Sequence, residues 1–204
     1  MPPRILKHLE LSRIPWLKIV LRLGYPRLEA LAENEEKILS ALVAQTLEIW
    51  QPQAVYQTLP VTSFTPNSIE TENLSIPSAQ LSQEFSGSHW ITLLAVTAGP
   101  KIMGEKELLF AEGQWSQAVM LDAVLSELTD ELANHIQKML LREASLKGFA
   151  LTRRFSPGYG DLPLSFQKNL LDFLGADKIG LTLNEGFLLI PEKSVTAVIG
   201  WIRK

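Results

Sequence analysis

The chain has 204 residues, 46% of them apolar, and a formal net charge of −3, which gives it the length of one large domain and the content for a real core. It contains no cysteine, so disulfides, thiolate catalysis and cysteine-ligated metal are all ruled out. No Lys/Arg stripe with interleaved aromatics is visible, which argues against nucleic-acid binding.

The opening segment "MPPRILKHLELSRIPWLKIVLRLGYP" is basic and partly apolar. Arg13, Lys18 and Arg22 interrupt its apolar residues, so it makes a poor signal peptide. No apolar run reaches the ~18 residues of a membrane span, and a cytoplasmic location is the default. The three histidines, His8, His89 and His135, form no HxxxH or HExxH spacing, so no metal site is expected and each reads as a surface or satisfied core residue.

"RLEALAENEEKILSALVAQTLEIWQ" reads as a helix with Asn34 as N-cap and Glu35 and Glu36 in the first turn, where the dipole favours them. Its apolar face is Ile38, Leu39, Leu42, Val43, Leu47 and Trp50. "AVYQTLPVTSF" and "NSIETENLSI" each read as one strand, "PSAQLSQEFSG" as a short helix closed by Gly87, and "HWITLLAVTAGP" as a buried strand. From Gln114 to Lys147 runs the longest helical pattern, carried by Leu121, Leu125, Leu128, Leu132, Ile136 and Met139, with Gly148 as the residue after the cap. "FALTRRFSPGYG" reads as a strand entering a turn and "SFQKNLLDFLGA" as an amphipathic helix. "KIGLTL", "GFLLIP" and "SVTAVIGWI" read as three strands of an antiparallel meander. Helices and strands are grouped rather than alternating, which predicts an α+β fold.

The stretch that stands out is "RRFSPGYG", residues 153–160. Pro157-Gly158 favours a type II turn, with proline fixing φ and glycine taking φ > 0. Arg154 is suited to a bidentate clamp on a carboxylate or phosphate. Tyr159 offers a ring face and a hydroxyl. A structural turn with a surface arginine is the plainer alternative.

"RRFSPGYGDLPLSFQ", followed by "KIGLTLNEGFLLIPEKSVTAVIG", resembles the activation domain of cobalamin-dependent methionine synthase, and its Gly-Tyr-Gly-Asp-Leu-Pro form is similar to stand-alone members of that family. "LRLGYP", "TAGP" and "LDAVLSEL" extend the resemblance over nearly the whole chain. It implies one helmet-like α+β domain over 1–204, a bent antiparallel sheet with flanking helices including one long helix. An N-terminal arm or helix would span 1–26, helices and strands 27–147, and the sheet unit with the RxxxGY motif 148–204. It also implies S-adenosylmethionine as cofactor and a cobalamin-binding module, of methionine synthase or another corrinoid protein, as partner. A flavodoxin- or ferredoxin-type protein would donate electrons for reductive methylation of cob(II)alamin, with neither nucleic acid nor membrane involved.

By the same resemblance Arg154 meets the ligand carboxylate, Phe155, Ser156, Pro157 and Gly158 line the ligand through backbone groups, and Tyr159 takes the catalytic position near the corrin. Glu127 aligns with a family glutamate at the ligand site; its alternative is a solvated helix face shared with Glu131 and His135. Glu185 matches the glutamate of the family's Thr-Glu-Ser segment, although Asn184 and Gly186 replace its neighbours; its alternative is an ordinary hairpin turn. Ser12 stands where the family enzyme carries an aspartate on the ligand. The chain has neither a zinc–thiolate site nor the Asp-x-His-x-x-Gly segment of cobalamin modules, so it is expected as a detached reactivation subunit, not a complete synthase. Two alternatives remain: a corrinoid-protein docking or sensing module that no longer binds S-adenosylmethionine, and an S-adenosylmethionine-binding protein with another acceptor.

Overall fold

The computed structural model describes residues 2–204. In chain order the elements begin with β1 (Arg4–Lys7), α1 (Trp16–Arg22), α2 (Glu33–Ile49), β2 (Gln53–Thr65), β3 (Ser68–Thr71), β4 (Ser75–Pro77) and α3 (Ala79–Glu84). They continue with β5 (Ser88–Thr97), α4 (Lys101–Ala111), α5 (Trp115–Leu146), β6 (Phe149–Leu151), α6 (Phe166–Leu174), β7 (Thr182–Leu183), β8 (Leu189–Ile190) and β9 (Ser194–Arg203). Seven strands form one curled antiparallel sheet in the order β4-β3-β2-β5-β9-β6, and β1 joins at β2. The 13-residue β2 uses one edge twice, first for β1 at Gln53–Tyr56 and then for β3 beyond Val61.

The central strands are apolar on both sides because both faces of the sheet are covered. On one face Ala54, Tyr56, Leu94, Val96, Ile199 and Trp201 pack against Leu132, Ala133, Ile136, Leu140 and Ala144 of α5. The alternate residues Val55, Leu93, Ala95 and Val198 face α3 and α6, where Leu81, Phe85, Phe166, Leu170 and Leu174 complete a second core. The N-terminal half of α5 leaves the sheet and buries Met120, Ala123, Val124 and Leu128 against α1 and α2. One 32-residue helix therefore braces a sheet with one half and a helical layer with the other. The expected α+β class with one long helix is borne out.

Five local expectations change. The N-cap of α2 is Ala32, not Asn34: the Ala32 N–H donates to Glu35 Oε2 at 2.9 Å, so the glutamate satisfies the free donor that a polar cap would otherwise leave. On the buried side of α2, Thr46 replaces Leu47, which is exposed. "NSIETENLSI" is two strands, β3 and β4, because the segment folds back between Thr71 and Leu74, where the Thr71 N–H and hydroxyl both donate to Leu74 O at 2.9 Å. The helix α4 had no signal in the pattern; only Ile102 of its 11 residues is buried, so no apolar stripe marks it. The three C-terminal strands are not a meander. β7 and β8 form a separate two-stranded ribbon, and β9 enters the main sheet between β5 and β6. Burial explains the split: residues 196–201 of β9 are all buried, whereas β7 and β8 are two residues each and none of the four is buried.

Candidate functional site

The motif segment leaves β6 but stays attached to β9. Thr152 N–H donates to Gly200 O at 2.9 Å, and Phe155 and Val198 exchange two backbone bonds of 2.9 and 2.7 Å. Ser156 Oγ then donates to Thr196 O at 2.7 Å. The chain reverses over Ser156–Tyr159, closed by the Tyr159 N–H on Ser156 O at 3.2 Å. Gly158 has φ +89°, the left-handed value that a type II turn demands after proline. Gly160, at φ +53°, lies so close to its neighbours that an added Cβ would collide with the Gln80 amide oxygen and crowd the Phe155 ring.

Asp161 fixes the far end of this loop. Its Oδ2 accepts the N–H groups of Ala79 (2.7 Å) and Gln80 (3.1 Å), and its Oδ1 accepts the hydroxyl of Ser78. The Ser78 hydroxyl and the two amides hold the Asp161 carboxyl below its ordinary value. The sequence singled out the turn but not this aspartate, although it follows the turn directly.

The turn borders a cleft of about 610 Å³. Phe155, Ser156, Pro157, Tyr159 and Gly160 form one side, Asp130 and Arg154 another, and Thr196 with Gln167 the floor. Gln167 is buried; its Oε1 accepts the Thr196 hydroxyl at 2.8 Å and its Nε2 donates to Phe187 O at 2.8 Å, joining α6, β9 and the β7–β8 ribbon under the cleft.

Arg154 is the main charge of the site. Its Nη2 donates to Asn134 Oδ1 of α5 at 2.9 Å, and Asn134 Nδ2 donates in turn to Glu131 Oε2 at 3.2 Å. The second terminal nitrogen, Nη1, is buried with no hydrogen-bond partner. Burial lowers the guanidinium's pKa, against the attraction of Asp130 and Glu131. Asp130 is shifted the opposite way: burial and then repulsion by Glu127 raise its pKa, while Arg154, Arg22 and Lys18 pull it down. The cleft thus sets a cation with an unmet donor beside a carboxylate whose ionised form is under-compensated.

Arg154, Phe155, Ser156, Pro157 and Tyr159 all line this cleft, and Gly158 lies within the same turn. Tyr159 stands at its edge, 71% exposed. Glu127 is buried against Arg22 of α1 (Nε to Oε1, 2.7 Å) and does not line the cleft. Glu185 is exposed on the β7–β8 turn and borders a different depression, with Asp172 and Asp177. Ser12 is exposed in the loop before α1, also away from the cleft lining. Among the residues that reach the site without having been singled out are Asp130, Gln80, Gln167 and Thr196, together with the supporting Asn134.

Among the described residues no group of three or more His, Asp or Glu side chains is placed to hold a metal ion. No helix among them is long and apolar enough to cross a membrane. No protein-family model matches the chain, and no curated protein matches it. Among solved structures it is similar to the crystal structure of the MetH reactivation domain bound to AdoHcy, with a TM-score of 0.71 over 98% of this chain and 78% of that chain, at 15% sequence identity. The chain therefore has the fold of the methionine synthase reactivation domain, over almost its whole length.

Proposed function

We propose that this protein is an S-adenosylmethionine-binding reactivation module, acting on the cobalamin-binding module of methionine synthase or another corrinoid protein in the cytoplasm. The observation that carries this reading is the pairing of Arg154, with its unpartnered Nη1, and Asp130 in one cleft beside the Pro157–Gly158 turn. The structural neighbour of the same fold is bound to AdoHcy, a molecule with one carboxylate and one ammonium on the same carbon. A ligand of that kind suits this cleft: Arg154 would take the carboxylate through charge-assisted bonds, and Asp130 would take positive charge. Nη1 is buried as the side chain stands, and an acceptor that reached it through a small shift of the guanidinium would remove a desolvation cost of about 1–3 kcal/mol.

S-adenosylmethionine, when bound, supplies the methyl group, and the partner's cobalamin together with one electron from a flavodoxin- or ferredoxin-type donor supplies the rest of the chemistry. The contribution of this chain is binding, orientation and exclusion of water. Under this reading Tyr159, exposed at the cleft edge, would meet the corrin. The competing reading is a docking module that no longer binds S-adenosylmethionine. It is favoured by the placement of Ser12, Glu127 and Glu185, none of which lines the cleft. Calorimetric titration with S-adenosylmethionine and AdoHcy separates the two. Saturable one-to-one binding supports the first, and absence of binding alongside capture of a cobalamin-loaded module supports the second. Transfer of labelled methyl to cobalt, dependent on this chain and an electron donor, completes the test.

A further inference from the structure

The sheet face under α5 is not covered to its end. Where α5 closes at Leu146, the rings of Tyr56, Trp90, Phe149 and Trp201 surround a cavity of about 250 Å³. It is separate from the motif cleft. Thr196, in the cleft floor, bonds to α6, whereas Trp201, five residues along β9, packs in the core beneath α5. An odd spacing in a strand places the two on opposite faces.

The walls of this cavity are apolar because their polar atoms are satisfied inside the sheet. Trp201 Nε1 donates to Thr92 Oγ1 at 2.8 Å, and Thr92 shares a 2.8 Å bond with Thr58. Phe149 meets Trp201 edge to face at 6.2 Å. The charges lie around these rings. Arg4 sits over the Tyr56 ring at 5.5 Å and Lys147 over the Trp201 ring at 5.6 Å. Glu143 lies between them, 2.8 Å from Lys147 Nζ and 3.6 Å from Arg4 Nη1. Two cations against one carboxylate leave an excess positive charge. Ring faces that would attract a cationic ligand are already occupied by the protein's own cations, so a second cation meets repulsion. A cavity of about 150 Å³ accommodates benzene, and this one is larger.

We propose that this cavity is a second ligand site, for a planar aromatic anion of one or two rings. The rings lie against Trp90 and Phe149, and the carboxylate or other oxyanion meets Arg4 and Lys147. This inference goes beyond the reactivation reading and does not rest on it. The test uses three probes on the full chain, followed by calorimetry: 2-naphthoate, the neutral 2-naphthalenemethanol and the cationic 2-naphthylmethylammonium. One-to-one saturable binding is expected for 2-naphthoate, weaker binding for the neutral probe and the weakest for the cation. Trp90→Leu lowers 2-naphthoate affinity about tenfold through loss of ring contact. Lys147→Ala, at a side chain 53% exposed and therefore safe for folding, lowers it about threefold and leaves the neutral probe unchanged. Arg154→Ala leaves all three probes unchanged. The proposal is overturned by absence of saturable 2-naphthoate binding, by a cation that binds as tightly as the anion, or by binding that survives Trp90→Leu and falls with Arg154→Ala.

Discussion

Replacement of Arg154 by alanine separates ligand binding from folding at one position. In the folded chain this side chain makes one hydrogen bond, Nη2 to Asn134 Oδ1 at 2.9 Å, and buries one nitrogen with no partner. Losing the bond costs about 1 kcal/mol, and removing the unmet donor returns about 1–3 kcal/mol. The two effects nearly cancel, so stability changes by about 2 kcal/mol at most and the midpoint of thermal unfolding by no more than about 8 °C for a domain of this size. Binding has no such cancellation. A charge-assisted contact to a ligand carboxylate contributes about 1.5–3 kcal/mol, so affinity for S-adenosylmethionine falls roughly ten- to a hundredfold. Arg154→Lys keeps the charge but loses the planar fork, and recovers only part of that loss. Calorimetric titration of the native chain and both variants, with thermal melts on the same samples, reads both quantities. Equal affinity in Arg154→Ala and native protein would return Arg154 to the role of a structural turn residue. A folded native chain without affinity would favour the docking reading.

Gly160→Ala places a Cβ against Gln80 and Phe155 at φ +53°; a loss of about 1–2 kcal/mol is expected in urea unfolding, most of it backbone strain. Ile136→Ala, at a fully buried position between α5 and the sheet, lowers stability by about 2–5 kcal/mol by the same measurement. Acid sensitivity is expected at Asp122: burial pushes its carboxyl up, but hydrogen bonds from Lys193 and Lys106 prevail and hold it below its ordinary value. A lowered folded pKa means that the stabilisation is complete above the unfolded value of about 4 and is lost as pH falls through the folded value. Asp122→Asn therefore flattens the acid limb of a stability-versus-pH curve; an unchanged limb would show that Lys106 and Lys193 contribute nothing through this group.

Much of the architecture was legible wherever burial is one-sided and regular. The apolar stripe of α5 was visible because Leu121 through Ile136 all face packed surface. The helix α4 was invisible because it buries one residue, and β7 and β8 were placed in the wrong sheet because two-residue strands carry no alternation. The turn at Pro157-Gly158 was readable from local chemistry alone. Its surroundings were not, since Asn134 reaches Arg154 only through the packing of α5 against the chain beyond β6. The displacement of Glu127 by Asp130 has a geometric cause. Three residues along a helix turn about 300°, so the two carboxylates diverge by about 60°. Glu127 takes the close contact with Arg22 of α1 at 2.7 Å, whereas Asp130 lies 3.9 Å from the same guanidinium and borders the cleft. No residue pattern fixes that rotation; the contact of α1 with α5 does.

The loop that displays Tyr159 is anchored from three directions: by Ser156 to Thr196 of β9, by Gly158 N–H to Leu162 O at 2.9 Å, and by Asp161 to the start of α3. Folding itself therefore meets the cost of ordering this segment, and a partner docking on it does not meet that cost again. The ring at its tip is 71% exposed. Burying such a ring on a partner contributes about 1.5–3 kcal/mol, less than the ~4 kcal/mol of even a millimolar complex. Leu189 of the neighbouring β7–β8 ribbon, partly buried, lines the same cleft as the ring. Such a rim gives modest affinity with a fixed geometry. Under the reactivation reading that combination has a use: a corrin module must be met in one orientation and then released to its own substrates, so the contact gains from rigidity at Tyr159 and would lose from tight binding.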